Sequence, residues 1–567
     1  MRKVAAAQAF DGLKQNQAAR RNLLAPCPLL RRPFPILAVL LLTVAPPLFA
    51  QSSEAPARFR LESVDLRGAT LLPATEWQGL IDTARGREIG FADLEALRAA
   101  IEARFHAAGW RLVQVRIPAQ DVDGGRIRMD VVEPHIGRVT VAGNRNFDTA
   151  NWRATFPMLR EGAAPNLAAL DKALTLAAEN PAKRPQVAFA AGATAEEVNA
   201  TIRAEDAPPA GWIGFLDNTG NSQTGRLRYG LAWRHGNLFD ADHQVNAQFI
   251  SAPHDADRPQ HLSLVPSSKV RIFGLGYRVP FYALGASANL TLGYSDVNSG
   301  QVDQLFTIRG KGSSAAFNWT QLLDRPQGEQ MRGWELRWFA GADWRDFKSQ
   351  LLFGTIDLGV PISLHPLSLG ISGSRPATPQ QALALRFHAG VWANVPGGAH
   401  GRDAAFTASR AGAKPAYSML RYGGGINLPL GDWRLDGSLE GQWSGDLLVP
   451  AEQFSAGGIG TVRGFSARGI SGDSGLRLQL EALGPPLLQE SAGAQVHGLV
   501  FLDAAHARRN SPTVLEAATG AIASVGIGLR ANWGPVVLRM DLGKPVHQRT
   551  GAAPETGTVH FSLASSF

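Results

Sequence analysis

Cysteine is all but missing from this chain. The one present, Cys27, excludes an internal disulfide and any cluster of thiolate metal ligands. Charge is scarce as well, with 18% of residues Asp, Glu, Lys or Arg, against roughly 25% in an ordinary soluble domain. No long apolar run follows residue 50, so no membrane-spanning helix is expected in the body of the chain. The 13 histidines form no His-Glu-x-x-His pair and no other paired spacing. Gly469-Ile470-Ser471-Gly472-Asp473 lacks the last glycine of a Gly-x-Ser-x-Gly nucleophile turn. A hydrolase built on a barrel stays open as an alternative, but the expectation is a protein without enzymatic activity, cofactor or metal.

What is there begins with the one apolar stretch, Pro33 to Ala50, preceded by Arg20, Arg21, Arg31 and Arg32. A basic segment, a short apolar core and a small residue at its end read as a secretory signal over 1–50, cut after Ala50. An uncleaved anchor helix is the alternative, disfavoured by the prolines in the run and by its length. Cys27 precedes the apolar run and so does not sit where a lipoprotein cysteine would. The 1–50 segment holds Arg2, Lys3, Lys14, Arg20, Arg21, Arg31 and Arg32 against Asp11, a net +6 of the chain's +8, which leaves +2 for the remainder. That balance gives no support to a nucleic-acid partner. Residues 51–58 read as a short linker.

Two similar units follow, each a strand, two helices and two strands. In the first, 59–134, Phe59 to Leu66 alternates, a helix follows Pro73, and Phe91, Leu94, Leu97, Ile101 and Phe105 recur at helical spacing up to Gly109. Strands are expected over 112–117 and 126–132. The second, 135–207, repeats the order with a strand over 136–141, helices near Asn151 and over 167–178, and strands over 186–189 and 198–202. Two tandem α+β domains are the result.

From Trp212 onward helical periodicity gives way to alternation. Trp433, Leu435, Gly437, Leu439, Gly441 and Trp443 take one face against Arg434, Asp436, Ser438, Glu440 and Gln442. Trp334 to Arg345, Val525 to Trp533 and Val536 to Leu542 repeat the pattern, with Arg530 and Asp541 among the polar set. A soluble sandwich also alternates. Strands of about ten residues, aromatics near their ends and full charges along the polar face suit a membrane barrel with a wet lumen better.

Within this region lies Gln453-Phe454-Ser455-Ala456-Gly457-Gly458-Ile459-Gly460-Thr461-Val462-Arg463-Gly464-Phe465, followed by Gly472-Asp473-Ser474-Gly475. The glycines permit tight packing but supply no chemistry, so Arg463 requires a partner. A dinucleotide-binding loop is one rival reading; the third glycine of that fingerprint is replaced by Arg463 and no ribose-binding acid follows in a βαβ context. A solvated surface loop is the other.

The run Val462, Arg463, Gly464, Phe465 with its flanks resembles the loop signature of two-partner-secretion transporters, the TpsB family of haemolysin and haemagglutinin secretion proteins. The resemblance covers nearly the whole chain after residue 58. The two α+β units resemble polypeptide-transport-associated (POTRA) domains, with Ile117 to Gly125 matching the turn between their last two strands. Leu216 to Asn221, Thr224 to Arg226 and Gly236 to Phe239 look like the first hairpin of the family's barrel, and Pro450 to Phe454 like the entry to its long sixth loop. The resemblance implies a transmembrane antiparallel β-barrel of about 16 strands over 208–567 behind two POTRA domains, with a loop, 450–476, folded into the pore. It implies too that Arg463 pairs with an Asp on the inner wall, in a Phe-x-Asp-x-Gly strand motif. Phe501 and Asp503 match that motif, with Ala505 in place of its glycine. Strand parity puts Phe501 and Asp503 on one face and Val500 and Leu502 on the other. The closing strand, 558–567, would carry the assembly signal on Val559, Phe561, Leu563 and Phe567, with Ser565 where an aromatic is usual. No plug helix is expected, because 51–58 as helix would reach only about 12 Å.

By the same resemblance the chain would sit in the Gram-negative outer membrane with its POTRA domains in the periplasm. It would export a large unfolded exoprotein, of haemolysin, adhesin or haemagglutinin type, without ATP. Its partners would be that exoprotein, outer-membrane lipid and the barrel assembly machinery, and the chain would be monomeric. A passive porin and an insertase for other barrel proteins are the alternatives. The POTRA domains would take an extended client as an added strand, or would serve only as spacers.

Overall fold

The computed structural model describes residues 58–567, apart from 123, 221–225, 254–265, 298–309, 326–330, 349–351, 354–355, 358–359, 489–492, 515 and 551–552. The expected signal over 1–50, the linker but for Arg58, the plug-helix question, and Asp123, Asn221, Thr224 and Gly225 of the motifs lie outside the described residues.

The first unit builds a three-stranded sheet. Its strand β1 (Ser63–Arg67) runs parallel to the central β3 (Arg126–Val132), which pairs antiparallel with β2 (Gln114–Arg116). Between β1 and β2 lie α1 (Gln78–Ala84) and α2 (Phe91–Ala107). Helical spacing along α2 buries Leu94, Leu97, Ile101 and Phe105 on one face, against Leu61, Ile127 and Met129. Phe91, in the same sequence pattern, is 68% exposed. It is the first residue of the helix, on a turn the core does not reach.

The second unit repeats the plan. Its β4 (His135–Ala142) is parallel to β6 (Glu197–Asp206), and β6 is antiparallel to β5 (Lys183–Ala191). Two helices intervene, α3 (Thr149–Thr155) and α4 (Leu167–Ala178). Both start on side-chain caps: Asp148 accepts from the Asn151 amide and Asn166 from the Ala169 amide. Trp152, Phe156, Ala173 and Ile202 fill the core. Asn166 also ties the two units together. Its Nδ2 donates to the Ala108 carbonyl at 3.1 Å, and the Leu167 amide donates to the Gly109 carbonyl at 2.8 Å. A Cβ on Gly109, whose φ is +95°, would stand 2.3 Å from Asn166 Oδ1, so glycine serves both the turn and the contact.

Sixteen strands close into one antiparallel barrel. The first are β7 (Ala210–Asp217), β8 (Arg228–Leu238), β9 (His243–Pro253), β10 (Pro266–Phe281), β11 (Ala286–Val297) and β12 (Gly310–Leu322). Next come β13 (Glu335–Lys348) and β14, which runs Pro361–Leu364 and then Pro366–Arg375, both halves pairing with β13. The circuit continues through β15 (Ala384–Asn394), β16 (Ser418–Leu430), β17 (Trp433–Trp443) and β18 (Ser474–Leu488). It ends with β19 (Ala494–Arg508), β20 (Thr519–Trp533), β21 (Val536–Arg549) and β22 (Thr558–Ser566). Closure pairs β22 with β7 from Ser562↔Asp217 to Ser566↔Ile213. Beyond it, Trp212 and Phe567 exchange backbone hydrogen bonds of 2.8 and 2.9 Å.

Alternation sorts each strand. Trp443, Val500, Leu502, Ile527, Leu542, Val559, Leu563 and Phe567 stand exposed, while the interleaved Asp503, Asp541 and His560 are buried. A barrel exposing large apolar side chains round its outside is stable against lipid rather than water. Among the described residues no helix is long and apolar enough to cross a membrane. Helix is not wholly absent after Trp212, since α5 (Asp403–Ser409) folds inside the connection from β15 to β16. The alternation of strands does not extend into such long loops.

The second unit is locked to the near rim of the barrel. Lys183, at the start of β5, has a fully buried side chain and donates from Nζ to Asp242 Oδ2 at 2.5 Å, Asn151 Oδ1 at 2.6 Å and Thr155 Oγ1 at 2.9 Å. Its ammonium also lies over the Phe147 and Trp152 rings. Burial lowers the Lys183 pKa from its ordinary value, and the Asp242 carboxylate opposes that shift. Asp242 belongs to the turn from β8 to β9, where Phe239, Asp240 and Asp242 all adopt positive φ. Left-handed backbone at three non-glycine residues is costly. The network offsets it: Tyr282 donates to Asp242 at 2.7 Å, Asn151 to the Asp240 carbonyl at 2.9 Å, and Asn180 to the Gly236 carbonyl at 2.7 Å. Gly236 to Leu238, grouped by sequence with the first hairpin, end its second strand β8, and Phe239 opens the turn to β9 that receives the neighbouring unit.

Candidate functional site: a loop clamped in the lumen

The connection from β17 to β18, residues 444–473, folds inward instead of outward. It doubles back as a short hairpin, Phe454–Ala456 against Ile470–Gly472, with a bridge between Gly458 and Val462 at its tip. Val462, Phe465 and Ile470 are buried against Ala505 and Ala507 of β19 and Ile522 of β20. Ala505, the departure from the Phe-x-Asp-x-Gly pattern, is therefore part of the surface on which the loop packs.

Arg463 reaches the wall beside these contacts. Asp503 takes three hydrogen bonds from it: the backbone amide to Oδ2 at 3.0 Å, Nε to Oδ2 at 2.7 Å and Nη2 to Oδ1 at 2.9 Å. The fork matches the carboxylate at both oxygens. Nη1 turns to Glu481 Oε2 at 2.9 Å, and the guanidinium carbon lies 3.5 Å from the centre of the Phe501 ring. The Arg463 side chain is 5% exposed and that of Asp503 0%. In such surroundings, removing Arg463 leaves the buried Asp503 carboxylate without its counter-charge, at a cost of about 3–5 kcal/mol.

The arginine and its carboxylate sit within a wider charge group. Arg530 on β20 bonds Asp541 Oδ1 at 2.8 Å and Glu481 Oε2 at 3.2 Å, and Arg463 Nη1 comes within 3.6 Å of Asp541. Gly464, φ +88°, presses its backbone on Gly543 of β21; a Cβ on Gly464 would meet the Gly543 carbonyl at 2.7 Å, and one on Gly543 the Gly464 nitrogen at 2.5 Å. The Gly464 amide donates to His560 Nε2 at 3.1 Å. The tip of the loop is thereby held by consecutive strands from β18 to β22. Its far limb ends at Asp473, fully buried, which accepts from Arg410, from the Leu448 amide at 2.8 Å and from the Asn510 amide at 2.7 Å. Asp473 joins three connections on the rim opposite the α+β units.

Val462, Arg463, Gly464 and Phe465 thus lie together with Phe501 and Asp503. Val559, Phe561, Leu563 and Phe567 lie apart, on the parity of β22 opposite to His560. Glu481, Arg530, Asp541, Gly543 and His560 were not singled out from sequence as loop partners. The alternation of β20 and β21 does put Arg530 and Asp541 on the polar face, which is the one signal that pointed to them. Among the described residues no group of acidic, histidine or cysteine side chains could hold a metal ion.

A lipid-facing barrel with α+β modules fixed at one rim and a hairpin clamped across its lumen defines an outer-membrane polypeptide transporter. The family model described as "POTRA domain, ShlB-type" matches residues 59–134, and that described as "Haemolysin secretion/activation protein ShlB/FhaC/HecB" matches residues 380–531. The chain matches this family of two-partner-secretion transporters over both stretches. The outer membrane transporter CdiB of Dickeya dadantii is 22% identical over 533 residues, covering 92% of this chain and 89% of that protein. Its Escherichia coli counterpart is 23% identical over 552 residues, 93% of this chain and 85% of the other. Among solved structures, CdiB from Escherichia coli superposes with a TM-score of 0.71 at 19% identity, covering 93% of each chain. CdiB from Acinetobacter baumannii does so with 0.64 at 15% identity over 91% of each. The protein lies in the outer membrane with its modules in the periplasm, and exports a secreted partner protein.

Proposed function

We propose that the chain takes its exoprotein unfolded, captures it at the periplasmic units by strand addition and passes it outward through the lumen without ATP, as loop 444–473 shifts aside. The exoprotein is of haemolysin, adhesin or haemagglutinin type. The chain acts as a monomer in outer-membrane lipid, catalyses no reaction, and is inserted by the barrel assembly machinery reading Val559, Phe561, Leu563 and Phe567. The observation that carries this reading is the loop itself. A hairpin held through Arg463 by a buried charge group occupies the path a translocating chain needs, and only a pore with a gated cargo gains from such a device. A passive porin has no use for modules locked to its rim through Lys183.

The direct test expresses the chain in a host lacking such transporters, together with any large exported protein found encoded beside its gene. The partner is expected in the medium only when the transporter is present. Accumulation of the partner in the periplasm despite a folded barrel, with other barrel proteins assembling faster, would instead assign the chain to insertion.

The glycine contact gives a second test. Gly543→Ala is expected to push the loop tip from the wall and to cut export severalfold, because the added methyl group meets backbone that cannot rotate away. The amount of heat-modifiable barrel should stay normal. Full export would mean that loop and wall tolerate separation at this point.

A further inference from the structure

The loop meets the wall a second time, with the charges reversed. Glu452, where the loop enters the lumen, has a side chain 0% exposed. Its Oε1 accepts from Arg345 Nη1 on β13 at 2.6 Å and its Oε2 from Arg421 Nη2 on β16 at 3.0 Å. The Glu452 carbonyl accepts from Gln442 Nε2 on β17 at 2.8 Å, and Gln442 also bonds the Asp473 carbonyl at 3.2 Å. Arg421 is fixed in turn by Gln442 Oε1 at 3.1 Å, and Arg345 by Asp343 at 2.5 Å.

At its tip the loop presents a cation to an acidic wall, Glu481, Asp503 and Asp541, on β18, β19 and β21. At its entry it presents an anion to a basic wall, on β13 and β16. The two contacts share no residue, and they fall on different arcs of the barrel. A buried carboxylate between two arginines costs much to expose singly, since Arg421 would then lose its ion-pair partner and Arg345 would be left with Asp343. The tip can therefore leave Asp503 while the entry stays fixed.

We propose that Glu452 is a second positioning residue of the pore loop, which holds the entry limb through Arg345 and Arg421 independently of Arg463. The loop is then a strut with two separate latches, and it clears the lumen only when both are open. This rests on the reading that the loop governs export.

The test uses the whole transporter with Cys27→Ser and Ala467→Cys, a unique thiol at an exposed position of the loop tip, labelled in intact cells by a membrane-impermeant maleimide. Glu452→Gln and Arg463→Ala are each expected to speed labelling about threefold. Combined, they should speed it well beyond the product of the two, because each latch masks the loss of the other. Arg345→Gln with Arg421→Gln, which leaves Glu452 in place, should reproduce Glu452→Gln, and Glu452→Asp should restore part of the loss. Heat-modifiable migration on a gel confirms folded barrel in every variant, and secretion is scored in parallel. Unchanged labelling in both Glu452→Gln and the double arginine variant, beside faster labelling in Arg463→Ala, would overturn the second latch and leave the first standing. Normal secretion from an Arg463→Ala channel that labels fast would remove the reading on which the proposal rests.

Discussion

Arg463→Ala is expected to lower secretion of the partner protein at least about tenfold while the barrel still inserts, and the double mutant with Asp503→Ala is expected to be no worse. The basis is the asymmetry of the charge group. Without Arg463, Glu481 and Asp541 keep Arg530, whereas Asp503 loses both side-chain bonds and is left buried and unpaired. That is the costly case, about 3–5 kcal/mol, enough to drive the loop tip from its seat. Without Asp503, Arg463 keeps Glu481 at 2.9 Å and its stacking on Phe501, so Asp503→Ala should be the milder single change. Both changes break one contact, so their losses should not multiply. Secretion into the medium, normalised to transporter in outer-membrane fractions, is the measurement. Losses that multiply strictly would mean that the two residues act separately, and wild-type secretion from Arg463→Ala would take the loop out of the mechanism.

Strand parity made much of this architecture legible. Trp433 to Trp443 or Val536 to Leu542 can alternate in only one way once one face meets lipid, and a period of two survives in the sequence however the strands are later joined. The arrangement across strands is a different matter. Parity puts Asp541 and His560 inside the barrel but does not give their height, which depends on the register of every strand pair. Arg463 and Asp503, 40 residues apart, were linked through the family's motif, not through local spacing. Glu481 has no motif and Gly543 looks like one more strand glycine, yet each touches the loop because β18 and β21 slide to particular registers, Glu481↔Phe501 and Gly526↔Gly543. Lys183 shows the same limit outside the barrel. A lysine in Lys183-Arg184-Pro185 reads as solvated. Only the packing of the second unit on the turn that carries Asp242 buries it. Glu452 lay inside a segment noted for its resemblance, but an acid there is indistinguishable from a surface residue until Arg345 and Arg421 arrive from strands far away in sequence.

Deleting Phe59 to Glu133 is expected to reduce secretion to background while leaving an inserted, conducting channel. The structure makes this deletion clean. The second unit is bound to the barrel rim by its own residues, Lys183, Asn151, Thr155 and Asn180, none of which the deletion removes. The first unit is tied to the second through the Ala108 and Gly109 carbonyls, which meet Asn166 and Leu167 at the capped start of α4. Losing those bonds exposes a helix end that Asn166 still caps through the Ala169 amide at 3.0 Å, so the second unit should stay folded. The first unit's sheet is open at both edges, β1 and β2, each paired on one side only with β3. An unpaired edge offers backbone donors and acceptors in a row, and an extended client can join it with little regard to its sequence. If that capture feeds the pore, its removal stops export at the first step without altering the barrel. The deletion is scored by partner protein in the medium, by heat-modifiable migration and by conductance in planar bilayers. Lys183→Met serves as contrast, because it should loosen the rim joint, and raise protease cleavage near Asp206, without removing either edge. Secretion at the normal level from the deletion would make the first unit a spacer, and loss of inserted barrel would show that it serves assembly instead of capture.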